Sequence, residues 1–331
     1  MSKRTFDRKL AELEALRSAA DRAATREQLG KALTDRNNYV VSKGAAIAAE
    51  LKFDELIPDL LAAFDRFFVD PVKTDPQCLA KHAIAKALKE LDYRDAQAYV
   101  RGIVHVQFEP AWGGRADTAA DLRGTCALAL TNCQLDDIEI LTYLADGLAD
   151  PETSVRVNSA IAIDQLSRPE GAVPLRLKLL VGDPEADVLG QCFASLLSLG
   201  TAGTVAFIRR FLQSGDEAAK LEAASALAQS RDPEAIEAIK EFWEQPLLSL
   251  ELRRLVLINL GASPVAAAAE FLVSVIAGES AELAATAITA LAASRFHDEV
   301  YARVAALIEG SANAELRRIF AQKWGDQSSR P

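Results

Sequence analysis

The hexapeptide Asp-Pro-Glu-x-x-Val occurs twice, as DPETSV at residues 150–155 and as DPEADV at residues 183–188, and each copy opens a run of small apolar residues. Aligning further segments on the valine gives Leu122, Val155, Val188, Leu221, Leu252, Leu283 and Leu316, with gaps of 33, 33, 33, 31, 31 and 33. Two earlier members fall at Val41 and Leu79, where gaps of 38 and 43 residues must hold insertions. A fixed period constrains the fold more than any other feature, because a unit of about 32 residues cannot enclose a core of its own and must stack on its neighbours.

Each unit holds two stretches with helical spacing. Leu221, Ala224, Leu227 and Ala228 share one face, and Ile236, Ile239 and Phe242 share another. Asp232-Pro233 between them is a helix-start signal, since Asp accepts from free N–H groups and Pro tolerates the first helical position. Composition agrees: alanine supplies 61 of 331 residues, aromatics are 6%, and Gly and Pro together number 29. That mixture suits closely packed helices and excludes a β-sandwich, a collagen-like chain or a disordered polyampholyte. The expected fold is all-α, an α-solenoid winding as a right-handed superhelix of about eight to nine stacked helical hairpins. Residues 1–24 are expected to form a capping helix, residues 25–324 the solenoid with an insertion loop at about 105–118, and residues 325–331 a disordered tail.

The net charge of −10 is evenly shared, with 21 basic and 26 acidic residues up to 165 and 16 and 21 beyond, and opposes a nucleic-acid backbone as partner. Charges interrupt the N-terminal segment, and apolar runs such as residues 266–269 fall far short of the roughly 20 residues that span a bilayer. A cytoplasmic protein with no membrane partner is expected. Cys78, Cys126, Cys133 and Cys192 are read as reduced, small, buried hydrophobes.

The unit DPExxVRxxxAxAL, clearest at residues 150–163, resembles the HEAT repeat, and in particular the short bacterial PBS-lyase HEAT-like variety. Arg follows the anchor at Arg123, Arg156, Arg253 and Arg317, whereas Leu189, Glu222 and Ala284 stand there in other units. The resemblance covers roughly residues 28–324. It implies an α-solenoid whose second helices line a concave surface used mostly to hold other proteins.

Residues 105–118 (HVQFEPAWGGRADT) depart most from the period, and their Phe108, Trp112 and Arg115 are candidate partner contacts. Alternatively, Trp112 folds back to plug a gap between hairpins. Arg176 with Lys178, and Arg209 with Arg210, give a basic stripe on successive second helices that an acidic peptide or phosphate could meet, or a solvated edge. Trp243 beside Phe242 is either a partner contact or core. An acidic run of Asp136, Asp137, Glu139, Asp146, Asp150 and Glu152 could dock a basic segment or be a solvated face with helix-start acids.

Catalytic signatures are missing: there is no Walker loop, GxGxxG, GxSxG, HExxH or CxxC. Cys78 and His82 have the spacing of a metal pair but also lie in a segment with core spacing. The iron-binding deoxyhypusine hydroxylases of the resembled family use repeated His-Glu pairs, which His82, His105 and His297 do not supply. No catalytic residue, metal or cofactor is expected. The sequence reads as a non-catalytic protein-binding scaffold or adaptor that grips another protein or peptide along the concave face of the solenoid, with help from the loop of Phe108 to Arg115. The alternative is a small-molecule-handling enzyme or ligand-delivery factor of the bilin-lyase type.

Overall fold

The computed structural model describes residues 3–246 and 248–325, so the tail expected at 325–331 lies, apart from Gly325, outside the described residues. The chain divides between Pro174 and Leu175 into two compact units, each described by itself. The helices up to the division are α1 (Lys3–Ala15), α2 (Arg22–Leu33), α3 (Asn38–Glu50), α4 (Ile57–Arg66), α5 (Pro71–Thr74), α6 (Leu79–Glu90), α7 (Ala96–Ile103), α8 (Ala120–Leu130), α9 (Asp137–Gly147) and α10 (Thr153–Leu166). The division falls within α11 (Ala172–Val181). Beyond it follow α12 (Ala186–Leu199), α13 (Thr204–Arg209), α14 (Glu217–Gln229), α15 (Pro233–Trp243), α16 (Leu250–Gly261), α17 (Ala266–Gly278), α18 (Ala281–Ala292), α19 (His297–Glu309) and α20 (Ala314–Trp324).

In the first unit α3 packs on α1 and α6, and α8 packs on α6 and α10; in the second, α12, α14, α16, α18 and α20 pack in series, as do α13, α15, α17 and α19. Both units are thus stacks of helix pairs, the arrangement of an α-solenoid. Among the described residues the only strands are β1 (Phe108–Ala111) and β2 (Gly114–Asp117), where a loop was expected.

The structural register of the repeat is counted from the N-caps. From α8 onward the anchor is the third residue after the cap: Leu122 after Ala119, Val155 after Glu152, Val188 after Glu185, Ala219 after Asp216, Leu252 after Ser249, Leu283 after Ser280 and Leu316 after Asn313. All seven are buried. The anchor of α14 is therefore Ala219, two residues before the expected Leu221, and the buried counterpart in α6 is Ala80, one after the expected Leu79. Alanine fills so many positions of these helices that leucine is a poor marker of the inward face. The side chains four, five and eight residues past the anchor complete the stripe, as with Cys192, Phe193 and Leu196 after Val188 or Val256, Leu257 and Leu260 after Leu252. Cys126 and Cys192 occupy one repeat position, which Val256 and Ala287 fill elsewhere, so packing explains them. Burial pushes the Cys192 thiol up to about 12.

Close helix approach depends on small residues. A Cβ added at Gly261 on α16 would lie 2.7 Å from the backbone oxygen of Ala290 on α18.

Candidate functional site

In the corrected register the residue after the anchor is basic in most units: Lys81, Arg123, Arg156, Lys220, Arg253 and Arg317, with only Leu189 and Ala284 departing after Ala80. One role of this position is visible at Arg156. There the guanidinium returns to the Asp-Pro turn, donating through Nη1 to the carbonyls of Asp150 and Pro151, both at 2.9 Å. Asp150 itself accepts from the N–H of Glu152 at 2.8 Å, and Asp183 from that of Glu185 at 2.9 Å. The motif is a loop staple.

At Lys81 and Arg123 the same position grips the inserted hairpin. Lys81, with no exposed surface, donates through Nζ to Asp75 Oδ2 at 2.9 Å, Gln107 Oε1 at 2.9 Å and the Phe67 carbonyl at 3.3 Å. Asp75, equally buried, also accepts from Asn38 Nδ2 and from the backbone N–H groups of Ala80 and Lys81. Gln107 Nε2 continues to the Asp75 carbonyl at 2.8 Å and to Glu109 Oε1 at 2.6 Å. That oxygen of Glu109 further accepts from the Gln77 N–H and from Thr118 Oγ1. Arg123 makes a two-point pair with Asp150 at 2.8 and 2.9 Å, and reaches Asp117 Oδ2 at 2.6 Å and the His105 carbonyl at 3.0 Å. Buried charges survive only when paired and hydrogen-bonded, and every one here is.

Electrostatics follow from this wiring. Burial alone would raise the Asp117 carboxyl, but the N–H groups of Ala119 and Gln107 and the Arg123 guanidinium hold it below its ordinary range. Burial lowers His105, against its contact with Gln107, and lowers His82. The network also holds an unusual backbone. Asp70, Gln77 and Cys78 have φ of +52°, +62° and +51°. Left-handed conformations in such residues cost roughly 1–3 kcal/mol each and persist only where surroundings fix them. Lys81 grips both Phe67 and Asp75 of that segment.

Upon this root stands the hairpin. β1 and β2 pair antiparallel with Phe108 opposite Asp117, Glu109 opposite Ala116, Pro110 opposite Arg115 and Ala111 opposite Gly114. Trp112 and Gly113 form the two-residue turn, where φ of +89° requires glycine at the second position. Trp112 at the tip is fully exposed and Phe108 half exposed, and the Arg115 guanidinium lies 5.5 Å from the Phe108 ring. The reading in which Trp112 plugs a gap is therefore corrected, and Phe108, Trp112 and Arg115 are brought together on one projecting element.

The remaining candidates do not join it. Trp243 is 3% exposed, donates through Nε1 to Glu279 at 3.0 Å and stands edge-on to Phe271, so burial removes it as a contact. Arg176 and Arg210 flank buried Phe207, at 4.0 and 5.7 Å from its ring, and Arg209 pairs with Glu241. These arginines act as packing and ion-pair groups more than as an open stripe. Half of the acidic run is engaged: Asp136 caps α9, Asp137 pairs with Arg168 and Asp150 with Arg123, while Glu139 and Asp146 are exposed. Cys78 lies before α6 in a left-handed conformation and not on a helix face shared with His82. Among the described residues no group of three or more His, Cys, Asp or Glu could hold a metal ion, and no helix is long and apolar enough to cross a membrane. An open groove of about 800 Å3 between α12 and α14 is lined by Gln191, Ser198, Glu222, Ser225 and Gln229.

Residues 173–249 match the family model for HEAT repeats. HEAT repeats are shown for that stretch, about a quarter of the chain. Outside that match the same helix-pair period continues in both units. Among solved structures the chain is similar to an engineered protein at 18% identity and a TM-score of 0.37, covering 100% of this chain and 97% of that one. A second engineered protein is similar at 19% identity and a TM-score of 0.18, with coverage of 90% and 93%. Human deoxyhypusine hydroxylase in complex with glycerol is similar at 16% identity and a TM-score of 0.30, with coverage of 76% and 88%. No curated protein matches.

Proposed function

We propose that this chain is a non-catalytic protein-binding scaffold whose principal contact element is the hairpin at residues 108–117. One observation carries the reading: Trp112 stands in full solvent on an element whose root is fixed by the buried Lys81–Asp75 pair. Exposing a whole indole forfeits several kilocalories of burial, and a Trp held at a rigid tip is the kind of side chain that dominates interface energetics. A rigid root means that little ordering entropy is lost on binding. The HEAT repeats support a scaffold role, and the charge of −10 supports a protein or peptide over nucleic acid.

The test is affinity capture from the source lysate with wild type, Trp112→Ala and Phe108→Ala, comparing identified partners. A specific partner held by wild type and lost with Trp112→Ala supports the reading. Partners captured equally by all three would refute it.

A further inference from the structure

The hairpin offers one backbone edge and protects the other. In an antiparallel pair, residues alternate between those bonded to each other and those whose N–H and C=O point outward. Thr118 N–H donates to the Gln107 carbonyl at 2.9 Å, which fixes the phase. Glu109 with Ala116 and Ala111 with Gly114 are the internally bonded pairs, so Phe108, Pro110, Arg115 and Asp117 face outward. On the β1 side Pro110 has no N–H, and the Phe108 carbonyl already accepts from Arg115 Nη2 at 3.2 Å. Nothing comparable guards the β2 side, where Arg115 and Asp117 present their backbone groups about 7 Å apart, the two-residue repeat of a strand.

The charges on the hairpin are equally one-sided. Glu109 and Asp117 are bound into the root, to Gln77, Gln107 and Thr118 and to Arg123. Arg115 remains as the charge near the exposed tip, held by the Phe108 ring and carbonyl and, among the described residues, by no carboxylate. A strand laid along β2 would place a side chain directly beside it, and opposite charges across strands attract. A second copy paired antiparallel through β2 and centred on Ala116 would set Arg115 opposite Asp117, whose carboxylate is already bound by Arg123, so self-pairing offers Arg115 no free counter-charge. Two-stranded hairpins gain stability from a third strand.

We infer that β2 is a docking edge that accepts an extended, acidic peptide segment of another protein as a third strand, with Trp112 closing over its end. This inference rests on the hairpin being the contact element.

The test pans a displayed library of random twelve-residue peptides against the full chain and measures the enriched peptides against variants. Arg115→Ala removes the charge but keeps the edge N–H. Arg115→Pro removes both while sparing the internally bonded pairs. Amide exchange of Arg115 and Asp117, read in the wild-type complex, reports the edge even if the proline variant misfolds. The expected result is enrichment of acidic peptides with β-branched residues, about 5-fold weaker binding with Arg115→Ala and at least 30-fold with Arg115→Pro. The two amides become protected on binding. No enrichment, or enrichment without amide protection, overturns the inference. Peptides that lose affinity with Trp112→Ala but protect neither amide leave the hairpin reading standing and sink strand addition. Peptides indifferent to both positions sink both. A dimer dispersed by Arg115→Pro would show the occupant to be a second copy and overturn the stated partner class.

Discussion

Lys81 Nζ lies 2.9 Å from Asp75 Oδ2, and neither side chain has any exposed surface. The pair joins α6 to the strained segment before it, and through Gln107 to the start of the hairpin. The position that at Arg156 staples its own loop grips the inserted element here and at Arg123.

Lys81→Ala is expected to destabilise the first unit by about 3–5 kcal/mol, because it leaves a buried carboxylate without its counter-charge. Lys81→Met combined with Asp75→Asn should recover part of that loss, since no unpaired charge remains. Thermal unfolding of the three variants checks the order.

Trp112→Ala should change stability by no more than about 0.5 kcal/mol, as an exposed side chain without packing partners. Trp243→Ala should cost about 3–5 kcal/mol, because it empties a buried site and orphans Glu279. Equal effects in denaturant titrations would contradict the assignment of one tryptophan to solvent and the other to the core.

Two glycine replacements separate rigid from yielding neighbours. Gly261→Ala drives a methyl group against the Ala290 backbone and should destabilise by about 1–3 kcal/mol. At Gly190 the nearest atom, 2.4 Å away, is the carboxylate end of flexible Glu222, which can swing aside. Gly190→Ala should therefore be neutral or gain up to about 1 kcal/mol from helix propensity. Melting temperatures of the two variants give the comparison.

Acidification should destabilise the first unit from about pH 6.5 downwards. His82 and His105 are held neutral by burial, both lowered from 6.5. The unfolded chain therefore takes up protons as pH falls through about 6.5 while the folded protein does not, so stability is full above that value and lost below it. Asp117, lowered from 3.8, contributes stability that is lost only below that value. The melting temperature should drop between pH 7.5 and 5.5, and His82→Gln with His105→Gln should flatten the slope.

The repeat was legible because its period is written in the Asp-Pro-Glu turns and in the spacing of Leu, Val and Ile. Its register in α6 and α14 was not, since Ala80 and Ala219 look like filler beside Leu79 and Leu221. That shift hid Lys81 and Lys220 as members of the basic position. The hairpin was legible as an insertion, and its Trp112-Gly113 turn between alternating residues was the signal for strands, masked by Pro110. Trp243 could not be placed because the face of α15 that meets Phe271 depends on the neighbouring helix. Asp75, Gln107 and Asp117 could not be found at all, because their meaning lies in contacts up to 37 residues apart.

Trp112 is open to solvent in the free protein and is expected to be covered in the complex, whereas Trp243 and Trp324 are buried. Acrylamide quenching of tryptophan fluorescence measures this directly, with and without a captured partner. The expected result is a strongly quenched component that vanishes in Trp112→Phe and becomes shielded when the partner is added. A component that stays equally quenchable in the complex would contradict it.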